Sequence, residues 1–310
     1  MKGKGVFFGI LAAVCYGTNP LGALPLYDEG VNTASVLVYR FSTAVAILAV
    51  LLVTGRQSFS VSRRDMRTLA PLGVLFAVSS ITYYHSFRFM DAGIASTILF
   101  VYPVMVAVIM SAFFKEHITA STVAAIALAL TGIALLYEGG GDVTLSATGI
   151  VLVMLSALSY AVYIVIVNQS SIRMTTIKLT FHVMLICLVT LLVYSLSSPD
   201  MTLVMPPSPR AWFFACWLGL VPTVLSLVFM TKAVHMVGAT PTAIMGALEP
   251  LTAVAIGVML FGESLTAHLI TGVVLILFAV VLIVLGKNNQ LHAIRSSLSS
   301  IVRRRWRWRS

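Results

Sequence analysis

The sequence predicts an all-α polytopic membrane protein: ten transmembrane helices in two inverted five-helix repeats. Three observations predict it. Hydrophobic residues make up 59% of the chain and charged residues 10%, with a mean hydropathy of +1.00. A soluble domain carries about 25% charged residues to cover its surface, so this chain has charge enough only for the rims of a lipid-facing bundle. Apolar stretches of roughly 20 residues, the length that crosses a bilayer as a helix, recur between short polar breaks. Finally, a shift of 147 residues places Pro103 on Pro250, Glu116 on Glu263, Thr119 on Thr266 and Ala120 on Ala267 without a gap. Residues 83–137 thus recur at 230–284. Polar landmarks at matched spacing are the signal here, because identities between two apolar stretches come cheaply.

The expected spans are roughly 5–26, 33–54, 68–88, 93–114, 119–137, 147–168, 178–197, 211–231, 238–261 and 267–286, each boundary good to about two to four residues. The breaks are chemically plain: Tyr27-Asp28-Glu29-Gly30, Gly139-Gly140-Gly141-Asp142, and Ser197-Ser198-Pro199-Asp200 running on to Pro209. Lys2 and Lys4 precede the first span as in a signal peptide. Its apolar run exceeds the usual h-region of about 7–15 residues and ends without a small-x-small site, so a retained helix is expected.

Lys and Arg orient the bundle. With the amino terminus inside, all but three of the 20 basic residues face the cytoplasm; Arg88 and Arg210 lie outside and Arg40 within a span. Asp28, Glu29, Glu138, Asp142 and Asp200 fall outside. The positive-inside rule therefore places both termini in the cytoplasm and accounts for the net charge of +10 without nucleic acid. Five spans per half force the second half to enter the membrane upside down relative to the first. The expected units are residues 1–142, residues 143–287, and a tail, 288–310. In the tail, Leu291, Ile294, Leu298 and Ile301 share a helical face, and Arg303 to Arg309 alternate with Trp306 and Trp308. Such a segment suits the anionic inner leaflet.

Polar groups inside spans are the candidate site. Arg40 sits about seven residues into span 2, roughly 10 Å below the outer boundary at 1.5 Å per residue. A charge there costs about 2.5–3.5 kcal/mol unless paired or wetted. It either snorkels to the outer headgroups or faces a cavity and holds a substrate carboxylate or a partner acid. Glu249 stands mid-span before Pro250. It could carry a proton, bind a substrate amine, pair with Arg40, or serve a kinked helix by bonding freed backbone groups. The 147-residue shift sets it on Tyr102, also before a proline, so kinks at Pro103 and Pro250 would bring both toward one region. Asn19-Pro20 breaks span 1 and frees carbonyls, as in helices that bind substrates or as in ordinary membrane kinks. Tyr160 and Tyr163, three residues apart on one face of span 6, are candidate cavity liners. Tyr83, Tyr84 and His85, near a span end, read as interfacial belt residues, and His182 and Lys232 as interfacial too. Ala239, Ala243 and Ala247 with Gly246 allow close helix packing.

The chain resembles the EamA-like branch of the drug/metabolite transporter superfamily. The resemblance runs over about residues 5–286 and rests on Gly17-Thr18-Asn19-Pro20, Tyr39-Arg40-Phe41, the stretch from Tyr84 to Tyr102-Pro103, Lys115-Glu116-His117-Ile118-Thr119, Glu249-Pro250 and Gly262-Glu263. It implies ten helices in two inverted halves, a central cavity with alternating access, and export or exchange of small metabolites such as amino acids. The second half has no Arg matching Arg40, so the halves differ chemically.

The expected function is a secondary transporter of amino acids or related amphipathic compounds in the plasma (inner) membrane. Alternatives are a proton-coupled multidrug or nucleotide-sugar-type carrier and, behind these, a channel or intramembrane enzyme. No P-loop is present, since Gly3-Lys4 and Gly286-Lys287 are isolated pairs. The six His are scattered and the three Cys single, so no metal, cofactor or catalytic set is expected. The expected partners are a small-molecule substrate and the bilayer; oligomeric state is open.

Overall fold

The computed structural model describes residues 2–114, 120–138, 146–170, 172, 174–197, 202–237, 242 and 245–282. Glu116, the last residues of the tenth expected span and the 288–310 tail lie outside them.

Helices are the regular elements of the described chain. They are α1 (Lys2–Gly17), α2 (Asn19–Asp28), α3 (Thr33–Thr54), α4 (Arg63–Ser86), α5 (Ala92–Leu99), α6 (Tyr102–Phe114) and α7 (Ala120–Glu138). There follow α8 (Ala147–Gln169), α9 (Thr176–Ser195), α10 (Pro209–Gly219), a π-helical segment (Leu220–Leu225), α11 (Ser226–Val237), α12 (Leu248–Phe261) and α13 (Ala267–Leu282). Seven stretches among the described residues are long and apolar enough to cross a membrane, and three shorter apolar helices accompany them. The starts are chemically marked. Asn32, Ser62, Ser146, Thr175 and Ser208 each accept a backbone N–H of the first helical turn that follows.

Four interruptions shape the interior, and each follows from a proline that cannot donate to the carbonyl four residues back. Pro20 leaves Tyr16 O free; the Asn19 amide takes it at 2.7 Å, while Thr18 Oγ1 bonds Cys15 O at 2.7 Å. The sequence reading left these carbonyls open for a ligand. The structure instead closes them with neighbouring side chains, because Thr18 and Asn19 are short enough to fold back onto their own turn. Pro222 leaves Leu218 O free, and Thr223 Oγ1 donates to it at 2.8 Å within the π-helical segment. Pro103 and Pro250 each stand in the first turn of a helix that resumes after a break.

Packing pairs α4 with α8, α1 with α11 and α12, α3 with α9 and α10, α5 with α12, and α6 with α8. Glycines set two of the closest approaches. A Cβ on Gly17 would meet Glu249 O at 2.6 Å, and one on Gly219 would meet Arg40 O at 2.7 Å. These two glycines press α1 and α10 against the backbone of the two candidate charged residues.

Candidate substrate-binding cavity

Where the interrupted helices meet, an open cavity of about 980 Å³ of atom-free space lies between them. Arg40, Tyr102, Tyr160, Tyr163, Glu249 and Pro250 all line it. The two tyrosines of α8 stack with ring centroids 5.7 Å apart, and Tyr102 meets Tyr160 edge-on at 4.8 Å. Phe76 of α4 packs on both Tyr160 and Tyr163. One wall is thus aromatic, built by α4, α6 and α8.

Arg40 is 4% exposed, so it does not snorkel to a headgroup region. Its Nε donates to Thr223 Oγ1 at 2.9 Å and its Nη1 to the Tyr84 hydroxyl. That hydroxyl donates in turn to Asn19 Oδ1 at 2.8 Å. The Phe41 and Tyr84 rings lie 5.2 Å from the guanidinium carbon. Among the described residues no carboxylate reaches ion-pair distance of Arg40, and Nη2 has no hydrogen-bond partner. A buried guanidinium held by neutral groups alone keeps a net positive charge at the cavity wall, which an anion from solution can neutralise.

Glu249 lies in the first turn of α12, its backbone N–H bonded to Gly246 O at 2.9 Å. Its carboxyl makes no hydrogen bond or ion pair with any described residue, so the Arg40–Glu249 pair left open by the sequence does not form. Glu249 also lines a second cavity of about 660 Å³ between α1 and α11, shared with Tyr102, Ser226 and Met230. The acid therefore stands on the partition between two spaces.

Asn19 is buried behind Tyr84 and orients it rather than lining the cavity. Pro20 and Pro103 lie off the lining as well. Sequence reasoning missed Tyr84, Tyr83 and Thr223. Nearness to a span end suggested a lipid belt for the tyrosines, yet Tyr84 is fully buried and Tyr83 is 5% exposed and bonded to Ser96 at 2.6 Å. Both belong to the inner face of α4. His182, read as interfacial, is 6% exposed and bridges Lys178 O and Phe59 O. For Thr223 a signal was present: a hydroxyl directly after a mid-span proline.

At the end holding Asp28 and Asp91, polar contacts join segments distant in sequence. The Tyr27 hydroxyl donates to Tyr84 O at 2.9 Å, Val204 N to Ser35 Oγ at 2.8 Å, and Asn32 to Thr202 O at 2.7 Å. Toward the opposite end the cavity wall runs on to Tyr163 and Thr180, the latter within the first turns of α9.

The model of the EamA-like transporter family matches residues 3–138 and again 147–285. An uncharacterized transporter of Archaeoglobus fulgidus is 28% identical over 273 residues, 88% of this chain and 93% of its own length. The uncharacterized transporter YdfC of Bacillus subtilis is 26% identical over 251 residues, 79% of this chain and 80% of its own. A solved crystal structure at 15% identity superposes with a TM-score of 0.62 over 91% of this chain and 96% of that one, which is a likeness of fold alone. Apolar helices of spanning length, an interior cavity with charged walls and a family match along nearly the whole chain lead to one conclusion: this integral membrane protein belongs to the EamA-like transporter family.

Proposed function

We propose that the chain is a ten-span secondary transporter, built as two inverted five-helix repeats, that moves small amphipathic zwitterions such as amino acids across the plasma membrane by alternating access, as export or exchange. The observation that carries this is the cavity itself: one buried cation without a counter-acid, one acid without a partner, and an aromatic wall between them. A zwitterion's carboxylate matches Arg40, its amine matches Glu249, and its apolar body matches Tyr102, Tyr160 and Tyr163. A highly phosphorylated substrate would call for more than the single cation present, which sets the nucleotide-sugar reading lower.

The packing supports the inverted repeat. Exchanging the halves turns the α1–α11 contact into α8–α4, α6–α8 into α12–α1, and α3–α10 into α9–α4, all of which occur. The α3–α9 pair maps onto itself. Rocking of two such halves about a midplane site is how repeat transporters work. With the amino terminus cytoplasmic, the cavity closes at its outer end and extends inward, an inward-facing form. The second cavity gives Glu249 an approach from the cytoplasmic half, which favours proton exchange there as a further role.

Counterflow in proteoliposomes with pooled labelled amino acids, with and without a pH gradient, tests the proposal. Saturable uptake that depends on trapped unlabelled substrate is expected. Folded protein that takes up none of the pool would remove the amino-acid reading.

A further inference from the structure

Glu263 is a landmark of the sequence repeat, yet it lies off the cavity and has no part in the substrate chemistry above. Its side chain reaches from the second half of the chain to the first. One carboxyl oxygen accepts from Ala92 N at 2.8 Å and the other from Gly93 N at 3.1 Å. These are the opening N–H groups of α5, which have no partner within their own helix. Asp91 occupies the N-cap position and makes no side-chain cap of its own, so the cap comes from across the repeat boundary.

The seat for that carboxyl is built from three glycines. Gly262, at φ +70°, ends α12 in the left-handed conformation that glycine adopts freely. The turn lets Glu263 N bond Gly257 O at 3.0 Å and folds its side chain back over Gly257. A Cβ on Gly257 would fall within the carboxyl group, and one on Gly93 would lie 2.7 Å from Oε2. Under the 147-residue shift Gly262, Gly257 and Gly93 become Lys115, Met110 and Thr240, so the sequence around Glu116 does not repeat the seat.

We infer that Glu263 is a one-sided outer latch, a positioning residue that holds the start of α5 against the end of α12 in the outward-closed form. The inference rests on the alternating-access reading. The seat lies between elements of opposite halves, next to the Tyr83–Ser96 closure, so opening the outer end must pull the carboxyl off the α5 N-terminus.

The test uses the full chain with Cys15, Cys187 and Cys216 replaced by alanine and a single reporter, Leu99→Cys, on the cavity wall. A membrane-impermeant thiol reagent is applied from outside at about pH 6.5. Glu263→Ala removes the latch, and Gly257→Ala fills its seat while leaving the acid in place. Loss of the carboxyl cap leaves the opening N–H groups of α5 without their partner and shifts the closed–open balance on the order of tenfold, so both variants should label that much faster than the parent. Each should remain monodisperse. Unchanged labelling in both, with or without a lower melting temperature, would overturn the latch and leave an ordinary packing contact. Counterflow is read in parallel vesicles holding the chain with Leu99 intact. Unchanged labelling beside intact counterflow sinks the latch alone, whereas absent counterflow of the pool removes the amino-acid transport reading on which it rests.

Discussion

At the scale of single residues, the proposed chemistry turns on Arg40. Its guanidinium is oriented by Thr223 and Tyr84 and neutralised by neither. Arg40→Ala should abolish transport in a protein that stays monodisperse. Tyr84→Phe keeps the ring and removes the link to Asn19, so it should lower transport efficiency by about tenfold, the worth of one hydrogen bond to a charged group. Concentration-dependent counterflow distinguishes the two. Glu249→Gln removes the partner of the substrate amine and should severely weaken transport; if Glu249 instead serves proton coupling, the variant should retain exchange and lose its response to an imposed pH gradient. Outside the spans, burial and then the neighbouring Asp91 push the Glu263 carboxyl up to about 7 from its usual 4.5, against the pull of the Gly93 and Ala92 N–H groups. A carboxyl raised in the closed form holds its proton more tightly there than in water. Closure is therefore favoured as outer pH falls through about 7 and weakened as it rises through the window between 4.5 and 7. Corrected for the falling thiolate fraction of the reporter, external labelling of Leu99→Cys should slow on acidification, and Glu263→Gln should remove that remaining dependence. A pH response unchanged in Glu263→Gln would assign it elsewhere.

At the scale of elements, four prolines interrupt four helices, and the interruptions converge on the cavity. Pro20, Pro103 and Pro250 were read from the sequence and Pro222 was not; Arg40, Tyr102, Tyr160, Tyr163 and Glu249 were read as polar groups within spans. The hydrogen-bond partners were not. Which hydroxyl turns to close Leu218 O, or which tyrosine of α4 turns inward, depends on the rotation of one helix against another, and mean hydropathy carries no such phase. Tyr84 shows this: its position in the chain fits a belt, and its side chain lies in the core. Thr223 joins the two levels by closing the π-helical segment and accepting from Arg40. Thr223→Val should cost roughly 1–3 kcal/mol of stability through the unpaired carbonyl and reduce transport as well. Gly219→Ala drives a methyl against Arg40 O and should cost about 1–3 kcal/mol by overpacking. Thermal unfolding in detergent, read beside counterflow, checks both.

On the scale of the whole molecule, composition carried the membrane class and the resemblance of the ordered motifs carried the family, and the apolar helices and the family match bear both out. The halves are alike in packing and unlike in charge. Arg40 has Cys187 at its shifted position, and Glu249 has Tyr102, so under the proposed repeat neither charge has a counterpart in the other half. That asymmetry suits the proposed zwitterion, with one pole on each half. The tail at 288–310 is expected to anchor on anionic lipid, and its deletion should leave transport intact while altering insertion or stability. Lost transport by a well-folded truncation would contradict that role.

The central claim is that Arg40 holds a carboxylate from solution. It is tested most directly by counterflow of one transported amino acid against two competitors, the unlabelled amino acid and its carboxamide, in the parent protein and in Arg40→Ala. The account predicts competition by the free acid, none by the amide, and no saturable counterflow in Arg40→Ala. Equal competition by the amide, or transport by Arg40→Ala at the parent's level, would contradict it.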